Sequence, residues 1–528
     1  MSKPKLPNQR NEYKKLNSRL NKYALIVEEV YETLALDAAR KASMVGYNGE
    51  SGEFHFDDYP KIKSQVEEMM STWVSEMEQL IYQGTSAEWH KSNAVQSLVA
   101  DKVLKAYTAT VDREKYKIYY EVNSDALKAF QIRRDKGMTL SDKLWKQQKS
   151  LRYELEEAIS VAIQKGTSAV ALSKRISKYL QDYPQLQKDY GDKFGKKTRS
   201  SDCEYRSMRL ARSEINMAYR GAEYERWRQL DFVVGYEIKV SHKHRVPDMC
   251  DDLQGKYPKD FEWVGWHPNC TDYKIPILKT EDEFFSLDDK PSVNEVTDVP
   301  DCFKKWTLEN EERIAKAKSK GTLPYFVRDN KKIVESISME GVASDVRERA
   351  VSVGGELQQM AIGIASRHGG VVTPINYKSV SSIVRKSNSD GSTPYDLKDI
   401  VRNTIVVQRD EIEGVLEELV HQKGFKRMKR QSGERFAGYS GNIVNVELSN
   451  GMQGEIQVNT ARMIYAKEIP DVAKSIIGED VWNQIRKETG LEGGLGHKFY
   501  EQIRSADTSD KLKDELIRKS MEYYSHFQ

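Results

Sequence analysis

Cysteine is scarce: Cys203, Cys250, Cys270 and Cys302 are the only four in 528 residues, too few for a disulfide framework. None forms a CxxC pair, the tightest zinc-ligand spacing. No apolar run approaches the roughly 18–20 residues that a membrane-spanning helix needs. The first residues, MSKPKLPNQRNEYKKLN, are polar and lack the hydrophobic core of a secretory leader. Charge of one sign is lacking too. Eighty-three Lys and Arg face 80 Asp and Glu, a net charge of +3, so bulk electrostatics selects no partner class. No GxxxxGK[ST] loop is present, which excludes P-loop chemistry. No internal repeat or low-complexity tract is visible. The expectation is a soluble protein made in a reducing cytoplasm, with no membrane span. At this length it should contain two to four domains.

What is present first is helix. Leu20, Tyr23, Ala24, Val27 and Val30 recur at helical spacing, as do Val66, Met69, Trp73, Met77 and Leu80. A helix over 154–163 should close near Gly166, and a second should run from Ala169 to Leu180. Between about 206 and 278 the texture changes to a long helix from Arg206 to Trp227 and a strand over 233–240. A loop-rich stretch follows, carrying His242, His244, Cys250, His267 and Cys270. His244, Cys250, His267 and Cys270 suffice for a tetrahedral zinc site. Without a tight pair, they also read as packed or surface residues of a compact loop module.

The segments RLARSEINMAYRGAEYERW, SHKHRVPDMCDDLQGKYP and WHPNCTDYKIPIL together resemble the phage Mu F-like minor head (head morphogenesis) family over about Leu140–Leu278. Leu253 and Asp272 stand where that family often has second cysteines. The resemblance implies a virion component that attaches near portal or capsid proteins. From Lys279 to Gly341 the chain reads as an extended joint with some helix of its own.

Two carboxylates organise the remainder. Asp399 opens an apolar run, Ile400-Val401-Arg402-Asn403-Thr404-Ile405, and Glu455 begins the alternation Glu455-Ile456-Gln457-Val458-Asn459. In a strand, Ile456 and Val458 would face a core while Glu455, Gln457 and Asn459 line the other face. Singly, each carboxylate reads as a solvated strand-end residue; together, from two strands of one sheet, they can hold magnesium for phosphoryl transfer. Lys378, Ser382 and Lys386 fall at i, i+4 and i+8, a stripe flanked by Arg385 that suits a polyphosphate if the segment is one helix. Further basic residues, Arg427, Lys429, Arg430 and Arg435, cluster before the next strand. Ser449-Asn450-Gly451 signals a hairpin, and Thr460 a helix cap.

The ordered set NYKSVSSIVRK, DIVRNTIVV, GYSGNIVNVEL and GEIQVNTARMIYAKE resembles the RelA/SpoT synthetase family of alarmone pyrophosphokinases, over about 358–468 with a helical extension. The resemblance implies a nucleotidyltransferase-like fold and transfer of the ATP β,γ-pyrophosphate to a ribose 3′-hydroxyl. By that likeness Asp399 holds Mg2+, and Glu455 assists it or activates the hydroxyl. Lys378, Ser382, Arg385 and Lys386 bind the donor, Tyr439 stacks on the acceptor base, and Gln457 supports the site. GDP or GTP is the expected acceptor, with adenosine nucleotides or tRNA as alternatives. Asn376 replaces a family arginine, Asn442 and Ile443 stand where a histidine is common, and Asn459-Thr460 replaces an Arg-Thr pair. No hydrolase-type histidine–aspartate motif is present, so synthesis without breakdown is expected.

The fold expected is multidomain α+β, with four parts. These are a helical region (1–139), a small α+β head-morphogenesis module (140–278), a connector (279–341), and a nucleotidyltransferase-like mixed sheet flanked by helices (342–528). The combined reading is a minor head protein in the virion, or in the host cytoplasm, carrying a synthetase-like toxin. A purely structural capsid protein with an inactive synthetase-like domain is the rival.

Overall fold

Helical periodicity produces two long helices, Gln9–Met44 and Lys63–Thr108. Leu20 and Val27 on the first and Val66, Met69, Trp73 and Met77 on the second are all buried. Val27 and the four residues of the second helix share a core with Leu144, Leu151 and Leu155 from the helix Leu140–Ala162 and Ala211 from the helix Cys203–Gln229, while Leu20 packs in a neighbouring cluster with Tyr13 and Ile215. The helix expected to close at Gly166 ends instead at the extended residue Ile163, and Ser168 caps the next helix, Ala169–Gln181.

This computed structural model describes residues 4–50, 52–108, 110–241, 247–286, 290–432, 437–504 and 510–528. The chain divides into two compact units, Met1–Glu335 and Ser336–Gln528. No helix among the described residues is long and apolar enough to cross a membrane.

In the first unit the helices are joined by a three-stranded antiparallel sheet, β1 (Val233–Lys239) between β2 (Gly255–Tyr257) and β3 (Tyr273–Leu278). The segment read as an extended joint is packed into this unit. Phe303 and Phe326, on the helices Asp301–Glu309 and Tyr325–Asp329, are buried in a ring cluster with Tyr257, Phe261 and Trp266. Large aromatic surfaces spaced along a polar stretch are enough to fold it down, a signal that its acidic and turn-forming residues hide.

The second unit is a mixed sheet of six strands: β4 (Val371–Val372), β5 (Asn376–Tyr377), β6 (Val401–Val406), β7 (Phe425–Gln431), β8 (Gly441–Glu447) and β9 (Gln453–Asn459). Its order is β4-β6-β9-β8-β7, with β5 also pairing β6. Among the described strands only β6 and β9 run parallel, so the chain must cross over between them. The amphipathic helix Ile412–Val420 lies in that crossover and buries Val415, Leu416 and Leu419. The helix Met339–Arg367 packs on the sheet, where its Leu357 side chain occupies the space a Cβ at Gly454 of β9 would need. Beyond β9, five helices gather Tyr465, Trp482, Tyr523, Tyr524 and Phe527 into a separate aromatic core.

Candidate active site

The parallel register of β6 and β9 fixes the site. Arg402 pairs with Glu455 and Thr404 with Gln457, while on the other side Glu455 pairs with Asn445 and Asn445 with Arg427. Directly paired residues share a face, so Arg402, Glu455, Asn445 and Arg427 form one row across four strands. Arg427 Nε donates to Asn445 Oδ1 at 2.8 Å, and Asn445 Nδ2 donates to the Lys398 carbonyl at 3.1 Å. The expected alternation along β9 is present, with one difference. Ile456 and Val458 are fully buried, yet Glu455, Gln457 and Asn459 are also only 7%, 8% and 4% exposed. A central strand is covered on both faces, and its polar face is a lined interior rather than a wetted surface.

Asp399 lies two residues before β6. Its Oδ2 accepts from Lys386 Nζ at 2.6 Å and pairs with Lys378 Nζ at 3.1 Å. Burial alone would raise the Asp399 pKa. The Lys386 hydrogen bond and the charges of both lysines outweigh it and hold the carboxyl below its ordinary value. Burial pulls the Lys378 ammonium below its ordinary pKa; Asp399 opposes that shift, and Arg402 and Lys386 add to it. Asp399 Oδ1 is buried with no hydrogen-bond partner among the described residues.

The lysines do not sit on one helical face as their spacing suggested. Lys378 immediately follows β5, and Ser379 caps the helix Val380–Asp390 by accepting from the Ser382 amide at 3.2 Å. The cap interrupts the i, i+4 ladder, so Lys378 and Lys386 meet at Asp399 from different elements. Ser382 Oγ accepts from Ser379 Oγ at 2.9 Å, within the cap. Arg385 is exposed and, with Glu340, Ser381, Val384 and Asn388, lines a shallow hollow on the outside of this helix.

A second chain of contacts leads away from Glu455. Gln457 Nε2 donates to Glu455 Oε1 at 2.8 Å, and Lys467 Nζ donates to Gln457 Oε1 at 3.3 Å. Lys467 also lies 5.4 Å from the centre of the Tyr439 ring, whose hydroxyl accepts from Asn459 Nδ2 at 2.7 Å. Burial would lower the Lys467 pKa, but Tyr439 and Glu468 outweigh it and raise it. The turn bearing Tyr439 is held by the last helix, Asp510–Ser525. Tyr524 meets the Tyr439 ring edge-on at 5.8 Å. At Gly438, φ is +85° and a Cβ would stand 2.6 Å from the Met521 Cα, so only glycine serves there. Arg402, Asn445 and Lys467 were not read from the sequence as site residues. Arg402 and Asn445 become visible only through strand pairing, whereas Lys467 stands within the motif around Glu455. Arg435, counted in the basic cluster, lies outside the described residues.

The residues fit a magnesium ion. A buried carboxylate oxygen at Asp399 has no partner among the described residues, and a second carboxylate, Glu455, lies on the strand paired with β6.

No protein-family profile matches the chain. It is 36% identical over 177 residues to the (p)ppApp synthetase toxin Tas1 of Pseudomonas aeruginosa strain UCBPP-PA14. That is 33% of this chain and 40% of Tas1, so the chain spans less than half of that relative's length. Over that stretch the chain is homologous to a synthetase toxin. Among solved structures, the Type VI effector Tas1 in complex with its immunity protein is 34% identical, covering 35% of this chain and 95% of that one with a TM-score of 0.32. Small alarmone synthetase 1 from Bacillus subtilis is 20% identical, covering 34% and 87%, with a TM-score of 0.22.

Proposed function

We propose that the Ser336–Gln528 unit transfers the β,γ-pyrophosphate of ATP to the 3′-hydroxyl of an adenosine nucleotide. The observation that carries this reading is Asp399, pinned at one oxygen by two lysines and bare at the other. In this reading Lys378 and Lys386 neutralise the donor phosphates, and Mg2+ held by Asp399 and Glu455 supplies the remaining positive charge. Glu455 takes the proton of the attacking hydroxyl, with Gln457 fixing its orientation. The new bond joins the 3′-oxygen to the β-phosphorus. The bond from that phosphorus to the α–β bridging oxygen breaks, and AMP leaves with the electron pair. Tyr439 offers its ring to the acceptor base, steadied by Asn459, Lys467 and Tyr524.

The sequence pointed first to a guanosine acceptor. The identity to a protein named as a (p)ppApp synthetase moves the preference to adenosine. The first unit's resemblance to minor head proteins supports a virion-associated effector released as a toxin, bound near portal or capsid proteins. The test incubates the full chain with labelled ATP, magnesium and each of ADP, ATP, GDP, GTP and tRNA, beside Asp399→Ala. Transfer to ADP or ATP, abolished by the substitution, is expected. Transfer to guanosine nucleotides alone would return the acceptor to the first reading, and no transfer to anything would leave the structural one. Detection in purified virions checks the head assignment.

A further inference from the structure

We propose that Cys250, His267, Cys270 and Asp272 bind a zinc ion that staples the loops around the small sheet of the first unit. Cys250 lies in the short helix Met249–Asp252, His267 and Cys270 lie in the loop before β3, and Asp272 immediately precedes β3. Ligand atoms of Cys250, His267 and Cys270 all fall within 4.8 Å of one another. The two Sγ atoms are 3.9 Å apart, and both cysteines are free. With Zn–S bonds of about 2.3 Å and tetrahedral angles, two thiolates on one zinc stand ~3.8 Å apart. A disulfide would need ~2.05 Å.

The third corner is His267, whose Nε2 is 3.0 Å from Cys250 Sγ. Its Nδ1 lies 2.8 Å from the Pro268 carbonyl. An N–H donated there leaves the Nε2 lone pair facing the sulfurs, the usual way a ligating imidazole is oriented. The fourth corner was expected at His244, which lies outside the described residues. Asp272 lies beside the cysteines but outside that 4.8 Å group, and a turn of its side chain would bring a carboxylate oxygen to the corner. Asp272 is fully buried, with Oδ2 3.8 Å from Cys270 Sγ and Oδ1 accepting from the Ser241 amide at 3.1 Å. Asp248 also approaches His267, at 3.3 Å, but its other oxygen accepts from the Cys250 amide and its side chain is 38% exposed. That makes it an outer support.

Binding releases the two thiol protons, so two thiolates, one carboxylate and one imidazole around Zn2+ carry a net charge of −1. A counter-charge is built in. Arg220 is buried and donates to the backbone carbonyls of Cys270 and Asp272 at 2.9 and 2.7 Å.

The full chain, purified from zinc-supplemented cells, should contain one zinc per molecule by elemental analysis, and chelation should lower its thermal transition. Cobalt-exchanged protein should show thiolate-to-metal charge transfer with tetrahedral ligand-field bands, a readout that needs no variant to fold. Cys250→Ser and Cys270→Ser should lose the ion, and Asp272→Asn should weaken affinity by about tenfold or more. Zinc-free wild type with a Cys250–Cys270 disulfide by mass would overturn the proposal, as would a Cys270→Ser variant that keeps its zinc. Loss of zinc in Asp248→Asn but not in Asp272→Asn would overturn the choice of fourth ligand.

Discussion

Two carboxylates, Glu223 in the first unit and Asp399 in the second, are held in opposite ways. In the first, Glu223 accepts from the Tyr13 hydroxyl at 2.6 Å and from Gln96 at 3.3 Å, and it pairs with Lys274 at 3.4 Å. Both partners of that ion pair are fully buried, and Lys274 also lies over the rings of Trp227, Tyr236 and Trp263. Both Glu223 oxygens have partners. In the second, Asp399 is held on one oxygen only, and the other is buried and bare. A closed network fixes a fold, whereas a half-satisfied carboxylate between two lysines is a cost that a bound ligand can offset. A bare oxygen alone is not the mark of a site, since Glu154 Oε1 in the first unit is also buried without a partner among the described residues; what sets Asp399 apart is the pair of lysines on its other oxygen.

The largest effect expected is at the open carboxylate. Asp399→Asn should cut pyrophosphate transfer by about 10³-fold or more, since charge stabilisation near the phosphates is the main catalytic device left to such a site. Unfolding of the Met1–Glu335 unit should not change, which steady-state kinetics and calorimetry on the same preparation can check. The mirror experiment is Glu223→Ala. It strands a buried ammonium and should cost about 3–5 kcal/mol of first-unit stability in denaturant titration. Transfer activity per folded molecule should be unaffected. If Glu223→Ala abolished transfer in folded protein, the division between scaffold and site would fail.

Acid separates the same two regions. The Asp399 carboxyl is held below its ordinary pKa, so its ion pairs contribute stability that is complete above the ordinary carboxylate range and lost as pH falls through the depressed value. Lys386→Met removes the strongest of the interactions that lower this pKa. The acid limb of second-unit unfolding should then move to higher pH, as tyrosine and tryptophan fluorescence would show.

Much of this was legible in the sequence, and the exceptions have physical causes. The helices read over 169–180 and 206–227 were placed to within a few residues, because an apolar stripe at 3.6 residues is local, whereas the one read over 154–163 begins at Leu140. The hairpin at Ser449-Asn450-Gly451 and the Thr460 cap were legible for the same reason, and Thr460 Oγ1 accepts from the Met463 amide at 3.2 Å. Arg402 and Asn445 were hidden because they join the site through β6–β9 and β8–β9 pairing, which no local window contains. The two-residue strands β4 and β5 were hidden because so short a pairing has no period to detect. The zinc ligand expected at His244 lies outside the described residues, whereas Cys250, His267 and Cys270 do come together.

Smaller effects test how the site is held. At Gly354 in the helix Met339–Arg367, a Cβ would fall 1.9 Å from the Tyr377 hydroxyl. Gly354→Ala must therefore push that ring, and Lys378 beside it, away from Asp399. A loss of about 1–3 kcal/mol is expected, with a raised KM for ATP.

The smallest effect decides between two readings of one helix. Spacing alone made Ser382 a phosphate ligand in a stripe with Lys378 and Lys386. The structure makes Ser379 the cap that starts the helix and puts the Ser382 hydroxyl on the Ser379 oxygen. Ser379→Ala removes the cap and should cost about 1 kcal/mol. It loosens the first turn of the helix that carries Lys386, so kcat/KM for ATP should fall modestly with stability. Ser382→Ala keeps the amide that the cap needs and should change neither. An ATP affinity that drops in Ser382→Ala while stability stays constant would restore the hydroxyl to the donor phosphates. The cap would then be a feature of the ligand-free enzyme that opens when ATP binds.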